Sequence, residues 1–335
     1  MKNKRTTMLD VARLAGVSYQ TVSRVLNTHP NVAPETRDRV LRIIDEMKYR
    51  PNQAARSLAA RRSQSLAVIT YTMQHYGPTQ MIANIDRFVR EAGYDLIVVH
   101  VDPLSSASMD AAVDRILRWS ADGVLMIAPI KNAYYLQLVD EFANTPLIQI
   151  DIAPGSATPS VIVDQREGSR LMTQLLLDSG HRRICEISGP LDWFGAMARH
   201  QGMRDALGAI EPVASIAGDW TAESGYSAMT ALLNRQDLAF TALVIGNDQM
   251  ALGAMSALRE RGLHVPDDIS IGGYDDIPEA AYFSPALTTV RQDFSELARQ
   301  GVTYLIDLIE ESGRARGQQV IAPQLIQRQS IRILR

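Results

Sequence analysis

The 335-residue sequence lacks the features of several protein classes. Its single cysteine, Cys185, excludes an intrachain disulfide and is typical of a reducing compartment. Because Cys185 lies in the apolar run RICEISG, we expect a buried structural thiol. No apolar run approaches the ~20 residues of a membrane-spanning helix. The basic N-terminus, MKNKRTTMLD, has no apolar segment after it, so we expect no signal peptide and a cytoplasmic protein.

Motifs for metal, nucleotide and hydrolytic chemistry are also missing. The six histidines show no HxxxH or HExxH spacing, and the sequence has no Walker A or GxGxxG loop. Asp151 and Asp275 are two of many acidic residues, and nothing marks them as the acid–base pair of a glycosidase. We therefore expect no metal site, no cofactor and no catalytic residues, and a protein that is not an enzyme.

The net charge of −3 conceals a division along the chain. Residues 1–62 hold 13 Lys and Arg against 5 Asp and Glu, a net charge of +8, whereas the remaining 273 residues hold 21 against 32, a net charge of −11. A basic head on an acidic body is typical of local nucleic-acid binding, because phosphate neutralisation supplies most non-specific affinity. A solvated basic surface is the alternative.

Residues 7–27, TMLDVARLAGVSYQTVSRVLN, predict two short amphipathic helices joined by a glycine turn. In the first helix, apolar residues recur at i, i+3, i+4 and i+7 from Met8. Thr7 and Asp10 match a capping box, Gly16 supplies the turn, and Ser18 is placed to cap the second helix. This arrangement indicates a helix-turn-helix, which presents its second helix to the major groove of DNA.

The second helix has one apolar and one polar side. Val22, Val25 and Leu26 form the apolar stripe. The other side carries Tyr19, Gln20, Thr21, Ser23 and Arg24. Such side chains at a helix N-terminus can reach base edges and phosphates, which predicts double-stranded DNA as a partner. An ordinary helical hairpin with a polar face is the alternative.

Two further segments complete the basic head. PETRDRVLRIIDEMKY predicts a third helix with Pro34 at its first position. Its inward positions are expected to be Val40, Leu41, Ile44 and Met47. The next segment, PNQAARSLAARRSQS, favours a helix too short to be stable alone in water. We therefore predict a linker that folds only when something supports it.

From Leu66 the sequence changes to apolar runs of strand length, such as SLAVITY and TALVIGND, separated by helical stretches. Alternating strands and helices with continuous apolar strands predict parallel sheets covered on both faces. About 270 residues of this pattern exceed one ordinary domain. We predict an α/β core of two doubly wound lobes, with a cleft at the carboxyl ends of their strands.

Polar side chains follow several of these strands, where they would meet at the cleft. The candidates are Asp151, Asn247 and Asp275. Acidic, amide and guanidinium groups suit the hydroxyls of a sugar, and Trp220 and Phe294 are candidate platforms for its apolar face. A helix cap or a loop turn is the alternative for each residue alone, and we assign Asp248 and Asp276 to such structural roles.

Three motifs, GVSYQTVSRV (16–25), NDQMALGAM (247–255) and GYDD…LTTVRQDF (273–294), resemble the LacI/GalR family of transcriptional regulators. The resemblance implies a helix-turn-helix domain (1–50), a hinge helix and linker (51–63) and a ligand-binding and dimerisation core (64–335) like the periplasmic sugar-binding proteins. The core would have one lobe from 64–163 with 292–321 and a second from 164–291 with 322–335.

The resemblance also implies site residues. The implied DNA-binding residues are Thr7, Ser18, Tyr19, Gln20, Thr21, Ser23, Arg24, Asn27, Asn52, Ala55 and Leu58, with Leu58 inserted into the minor groove. The implied ligand-binding residues are His75, Gly77, Pro78, Met81, Asp151, Trp193, Arg199, Trp220, Asn247, Asp275 and Phe294. At the pocket rim, around Asp192, Trp193, Gly195 and Met197, the sequence departs from the family member that it specifically resembles, which has small polar residues and a second arginine there.

The implied function is a repressor of a sugar-utilisation operon, released from a pseudo-palindromic operator by a galactoside-like inducer. A corepressor-type regulator whose ligand strengthens DNA binding is one alternative, and a response to a gluco-type sugar or a disaccharide is another. No leucine-heptad tail follows the core, so we expect a homodimer. An exported sugar receptor would share the core but needs a signal peptide.

Overall fold

The computed structural model describes residues 6–26, 29–49, 62–71, 73–102, 105–127, 140–142, 144–235, 237, 239–310 and 317–334. The chain forms two compact units, residues 1–63 and 64–335. Four of the predicted DNA-binding residues lie outside the described residues: Asn27, Asn52, Ala55 and Leu58. None of the helices in the described ranges has the length and apolar character needed to cross a membrane.

The small unit contains the predicted helix-turn-helix. Its helices are α1 (Met8–Ala15), α2 (Tyr19–Leu26) and α3 (Pro34–Glu46). Both bonds of the capping box are present, because the Asp10 N–H donates to Thr7 Oγ1 at 3.3 Å and the Thr7 N–H donates to Asp10 Oδ2 at 3.0 Å. Gly16 ends α1 at φ 62°, a conformation that favours glycine. Ser18 Oγ accepts from the Thr21 N–H at 3.1 Å and so caps α2.

The three helices of this unit enclose one apolar core. Its buried residues are Val11, Ala12, Ala15, Val22, Val25, Val40 and Tyr49. The prediction for Leu41 is wrong, since its side chain is 46% exposed. Val40 takes the inward position, and the next residue lies about 100° further round the helix. Adjacent apolar residues left the register of this helix ambiguous.

The large unit alternates strands and helices. In chain order they are β1 (Ser65–Thr70), α4 (Tyr76–Glu91), β2 (Asp95–His100), α5 (Ser106–Trp119), β3 (Gly123–Met126), β4 (Leu147–Ile150), β5 (Ser160–Val163), α6 (Gln165–Asp178), β6 (Ile184–Ser188), α7 (Phe194–Leu207), β7 (Ser215–Ala217), α8 (Ala222–Leu233), β8 (Ala242–Ile245), α9 (Asp248–Glu260), β9 (Ser270–Gly272), β10 (Thr289–Arg291), α10 (Phe294–Ile309), β11 (Gln318–Ile321) and β12 (Gln324–Ile326). A short 3₁₀ helix spans Pro278–Tyr282.

The strands form two parallel sheets, one in each lobe. The first has the order β11-β5-β4-β3-β1-β2 and the second the order β7-β6-β8-β9. Every neighbouring pair within these two sheets is parallel. Strands β10 and β12 form a separate antiparallel pair. The predicted parallel-sheet architecture is confirmed.

Each sheet is covered on both faces. In β1, Leu66 and Val68 pack against α4 and α10, whereas Ala67 and Ile69 pack against α5. This alternation follows from the two-residue period of a strand. The second sheet packs against α8 and α9 on one side and against α6 and α7 on the other. Cys185 is a fully buried member of the α8–α9 core, as expected for a structural thiol.

The chain passes between the lobes at three places. These are the connections from β5 to α6, from β10 to α10 and from β11 to β12. Asp275 forms an isolated parallel bridge with Arg291, which ties β10 to the end of the second sheet. The carboxyl ends of both sheets therefore face the same region beside the crossings, and polar side chains from both lobes converge there.

Candidate functional site

A cleft of about 840 Å³, counting space open to solvent, lies between the lobes at these strand ends. Every residue predicted to bind a ligand lines it: His75, Gly77, Pro78, Met81, Asp151, Trp193, Arg199, Trp220, Asn247, Asp275 and Phe294. The structure thus brings together side chains that are more than 200 positions apart in the sequence. Their roles in binding remain a prediction.

Sequence reasoning missed part of the lining. The residues without a prediction are Tyr71, Ile127, Phe194, Gln292 and Leu297, whereas Tyr76 and Gly195, which the family resemblance places at the pocket rim, line the cleft as expected. Tyr71 and Ile127 directly follow β1 and β3, and Gln292 directly follows β10. All three therefore occupy strand ends, and the rule that strand ends meet at the cleft predicts their position for apolar and aromatic residues and after short strands as well.

The polar floor of the cleft is formed by Arg199 with Asp151 and Asp275, and Arg199 of α7 lies at its centre. Its Nε donates to Gln165 Oε1 at 2.9 Å, its Nη1 donates to the Gly246 carbonyl, and its Nη2 lies 3.7 Å from Asp275 Oδ1. The guanidinium carbon is 3.8 Å from the Tyr274 ring centroid, and the side chain is only 12% exposed. A guanidinium held on so many sides has a fixed orientation at the cleft.

Two carboxyl groups flank this guanidinium, that of the half-buried Asp151 in one lobe and that of the buried Asp275 in the other. Asp151 follows β4 at φ 63°, and Asp275 follows β9 at φ 110°, so both occupy the left-handed region that aspartate tolerates better than most residues. Burial raises the pKa of Asp151, although Arg199 and a hydrogen bond from Gln165 oppose it. Burial raises the pKa of Asp275 to about 6, against the opposing effects of Arg199 and Gln292.

Aromatic side chains form the rest of the wall. Trp220 is 8% exposed, and its indole packs over Gly189, where a Cβ would overlap the ring. The Trp193 ring centroid is 5.0 Å from that of Tyr71, 5.9 Å from that of His75 and 6.2 Å from that of Trp220. Trp193 therefore joins aromatic residues of both lobes at the cleft rim. Burial lowers the pKa of His75 below its usual value.

Some polar residues near the cleft have structural roles. Asn247 lines the cleft and also caps α9, since its Oδ1 accepts from the Met250 N–H at 2.9 Å while its Nδ2 donates to the Trp220 carbonyl at 3.0 Å. Asp248 is fully buried and accepts from the Ile277 N–H. The carboxylate of Asp276 is paired with Arg291 at 2.7 Å and Arg328 at 2.6 Å. The carboxylates of Asp248 and Asp276 are thus engaged by contacts within the protein, and neither residue is among those that line the cleft.

The polar side of α2 is a second candidate surface. Tyr19 is 50% exposed, and Gln20 and Arg24 are exposed as well, whereas Val22 and Val25 are buried. The remaining predicted DNA contacts are partly occupied locally: the hydroxyls of Ser18 and Thr21 lie 2.9 Å apart, and that of Thr7 donates to Asp10. Ser23 is half-buried. Contact of any of these residues with DNA remains a prediction.

The raised pKa of Asp275 predicts a pH-dependent stability. The folded-state pKa of about 6 exceeds the ordinary 3.8, so the contribution of Asp275 to folding is fully present below about pH 4 and is lost as the pH rises through 6. Asp275→Asn cannot ionise, so we expect the variant to gain stability relative to the unaltered chain by up to about 2 kcal/mol between pH 4.5 and pH 7.5. Urea unfolding at both pH values measures this difference.

Asp237→Asn is the matched control. Asp237 is exposed and its pKa is lowered by a hydrogen bond from Arg235, so its removal should cost a little stability at the higher pH. A difference between Asp275→Asn and the unaltered chain that does not vary with pH would contradict the assignment of a buried, reluctantly ionised carboxyl.

Comparison with known proteins places this geometry in a family. Residues 7–52 match the model of bacterial regulatory proteins of the lacI family, and residues 173–331 match a periplasmic binding protein-like domain. The chain is 34% identical to the lactose operon repressor of Escherichia coli (strain K12), over 98% of this chain and 91% of that protein. The chain belongs to the lacI family. It is a DNA-binding transcriptional repressor of that family.

Other lacI-family members are similar over the same length. The HTH-type transcriptional repressor PurR of Histophilus somni (strain 129Pt) is 35% identical over 98% of this chain and 99% of its own. A crystal structure of the lac repressor dimer bound to operator and the anti-inducer ONPF superimposes with a TM-score of 0.93 at 34% identity, covering 98% of this chain and 100% of that chain. The family identified from the sequence motifs is confirmed.

Proposed function

We propose that this repressor controls a sugar-utilisation operon and leaves its operator when a small sugar or glycoside, galactoside-like in its hydroxyl pattern, occupies the cleft. One observation carries the proposal. The carboxylates of Asp151 and Asp275 and the guanidinium of Arg199 converge on the cleft beside the Trp220 ring, whose centroid is 5.3 Å from the guanidinium carbon.

Sugar chemistry fits this set of groups. Each hydroxyl donates one hydrogen bond and accepts others, so carboxylates and a guanidinium together satisfy both functions. The C–H face of a pyranose is apolar and packs on an aromatic ring. Hydrogen bonds to ionised groups are stronger than those between neutral groups, which favours a ligand rich in hydroxyls over an apolar one.

Release from DNA follows from linkage. A sugar that binds one lobe arrangement more tightly shifts the protein toward it, and the operator is bound less tightly if that arrangement misaligns the DNA-binding heads. We propose that residues 51–63 form a hinge helix that folds on operator DNA, with Leu58 in the central minor groove. The protein would act in the cytoplasm, on double-stranded DNA.

A homodimer is the proposed assembly, since a pseudo-palindromic operator matches a twofold protein. The similar lac repressor structure is a dimer on its operator. In this chain, Leu252 is 46% exposed and Tyr282 is 87% exposed. Leu252 borders an open groove that also contains Met255 and Phe283. These apolar side chains support a contact with a second copy of the chain through this face.

A ligand that strengthens operator binding, rather than weakening it, is the alternative to the proposed effect. The chain is as similar to PurR as to the lactose operon repressor, and a corepressor would strengthen operator binding instead. The residues at the cleft rim also support an alternative effector. Tyr71, His75 and Trp193 form an aromatic corner that a gluco-type sugar or the second ring of a disaccharide could contact.

One titration tests the proposal. Tyr19, Gln20 and Arg24 support a half-site close to that of the lac operator, so the probe is a fluorescein-labelled lac operator duplex followed by anisotropy. The sugars are methyl β-D-galactopyranoside, methyl β-D-glucopyranoside, lactose and cellobiose. We expect a sugar, foremost the galactoside, to release the DNA. Tighter binding with a sugar would establish the corepressor alternative, and no effect of any sugar would overturn the sugar-effector proposal.

A further inference from the structure

Two glutamine side chains are hydrogen-bonded to each other at two of the crossings between the lobes, Gln292 lining the cleft and Gln165 lying behind it. Gln165 is the first residue of α6, and Gln292 directly follows β10. Gln165 Nε2 donates to Gln292 Oε1 at 2.6 Å, and Gln292 Nε2 donates to Asp275 Oδ1 at 2.6 Å. Both residues are buried, with Gln165 only 3% exposed.

The amide of Gln165 also connects the two lobes. Its Nε2 donates to Asp151 Oδ1 at 3.2 Å, and its Oε1 accepts from Arg199 Nε at 2.9 Å. Because an arginine only donates, the oxygen of this amide must face Arg199 and its nitrogen must face Asp151. The Tyr274 hydroxyl donates to the Gln165 carbonyl at 3.3 Å and restrains the main chain.

We propose that Gln165 is the positioning residue of the effector site. From behind the cleft it fixes Asp151 of one lobe and Arg199 of the other so that both meet the hydroxyls of one effector molecule. Gln165 does not line the cleft itself. The inference deepens the proposed function and rests on it, and it adds a residue that acts on the effector through Asp151 and Arg199.

The charge of the surroundings makes this role testable. The titratable and charged groups that face the amide pair and its partners are Tyr71, Asp151, Arg199, Asp248, Tyr274 and Asp275. A glutamate at 165 would place a further carboxylate against that of Asp151, and the repulsion would displace Asp151 from the cleft. The protonated glutamate is neutral and donates one hydrogen bond, so it replaces one of the two donors of the glutamine.

The same helix supplies a matched control. Gln174 is half-buried at the surface, and its Nε2 donates to the carboxylate of Asp178 at 2.8 Å. Gln174→Glu therefore places the same new charge beside a carboxylate on α6, away from the cleft. Gln165→Met removes the hydrogen bonds of the amide without adding charge.

The experiment uses the full chain on the labelled lac operator duplex, with methyl β-D-galactopyranoside as the probe at about pH 5.5 and pH 8. We expect Gln165→Glu to raise the half-release concentration roughly tenfold or more at pH 8, and by less than about threefold at pH 5.5. Gln165→Met should raise it by a similar factor at both pH values. Gln174→Glu should follow the unaltered chain in its sugar response and in its operator affinity, and the sugar response of each Gln165 variant is compared with the operator affinity of that same variant without sugar.

Two results would overturn the role of Gln165: a half-release concentration within twofold of the unaltered chain in both Gln165 variants, or equal shifts in Gln165→Glu and Gln174→Glu. Thermal unfolding without sugar separates this failure from that of the proposed function. If the galactoside does not act on the unaltered chain, the proposed effector fails. Even then, a decrease in the melting temperature of Gln165→Glu from pH 5.5 to pH 8, larger than that of Gln174→Glu, would show that the new charge lies against Asp151. No such decrease would count against the positioning role of Gln165.

Discussion

Arg199→Met is expected to abolish release from the operator at sugar concentrations that release the unaltered protein. The guanidinium is held by Gln165 and the Gly246 carbonyl and lies 3.7 Å from Asp275. Its removal leaves the two flanking carboxyl groups without a cation, which favours their neutral forms and withdraws the donors that a sugar needs. Truncating one partner of a buried charge pair weakens binding by roughly 30-fold to more than 1,000-fold.

Arg204→Met is the control for this prediction. Arg204 lies on the same helix as Arg199, but it pairs with Glu211 at the surface, where ion pairs contribute little. We expect Arg204→Met to respond to the sugar as the unaltered chain does, and both variants to bind operator DNA normally without sugar. Release of Arg199→Met at the ordinary sugar concentration would refute the role given to the guanidinium.

Much of the fold follows from patterns within a few residues. Continuous apolar runs of four to six residues predict β1, β3, β4, β5, β6 and β8 because both faces of each sheet are covered by helices. Strands β7 and β11 gave no such signal. Their sequences, SIA and QQVI, are largely exposed or half-buried, since each strand is at the edge of its sheet. Their pairing is determined by the neighbouring strand rather than by local hydrophobicity.

The polar floor of the cleft was predictable only in part. Asp151 and Asp275 each follow an apolar strand, and this position predicts a place at the cleft. Gln165 stands two residues after β5, as Asn247 does after β8, but a glutamine at the first position of a helix is ordinary and does not by itself indicate a site. Its partner Gln292 is 127 residues away in the sequence, so only the folded chain shows that the two amides meet. Asn247 shows a different limit of sequence-based prediction. The sequence presents helix capping and ligand binding as alternative roles, whereas the side chain of Asn247 both caps a helix and lines the cleft.

Arg24→Ala is expected to weaken operator binding roughly 5-fold to 150-fold while leaving the sugar affinity unchanged. Arg24 is exposed on the polar side of α2, opposite the buried Val22 and Val25. Its long side chain can meet a guanine edge or a phosphate, whereas alanine reaches neither. Anisotropy titrations of the lac operator duplex, at several salt concentrations, measure the loss.

The salt dependence decides which contact Arg24 makes. A phosphate contact would weaken binding to all sequences alike and reduce the slope of log affinity against log salt by about one. A base contact would keep most of that slope and relax the preference at one position of the half-site, which a duplex altered at each position in turn reveals. Arg39→Ala, an exposed arginine of α3, removes the same charge from the same unit. An equal loss of affinity in both variants would mean that the positive charge of the unit, rather than the position of Arg24 on α2, accounts for the effect.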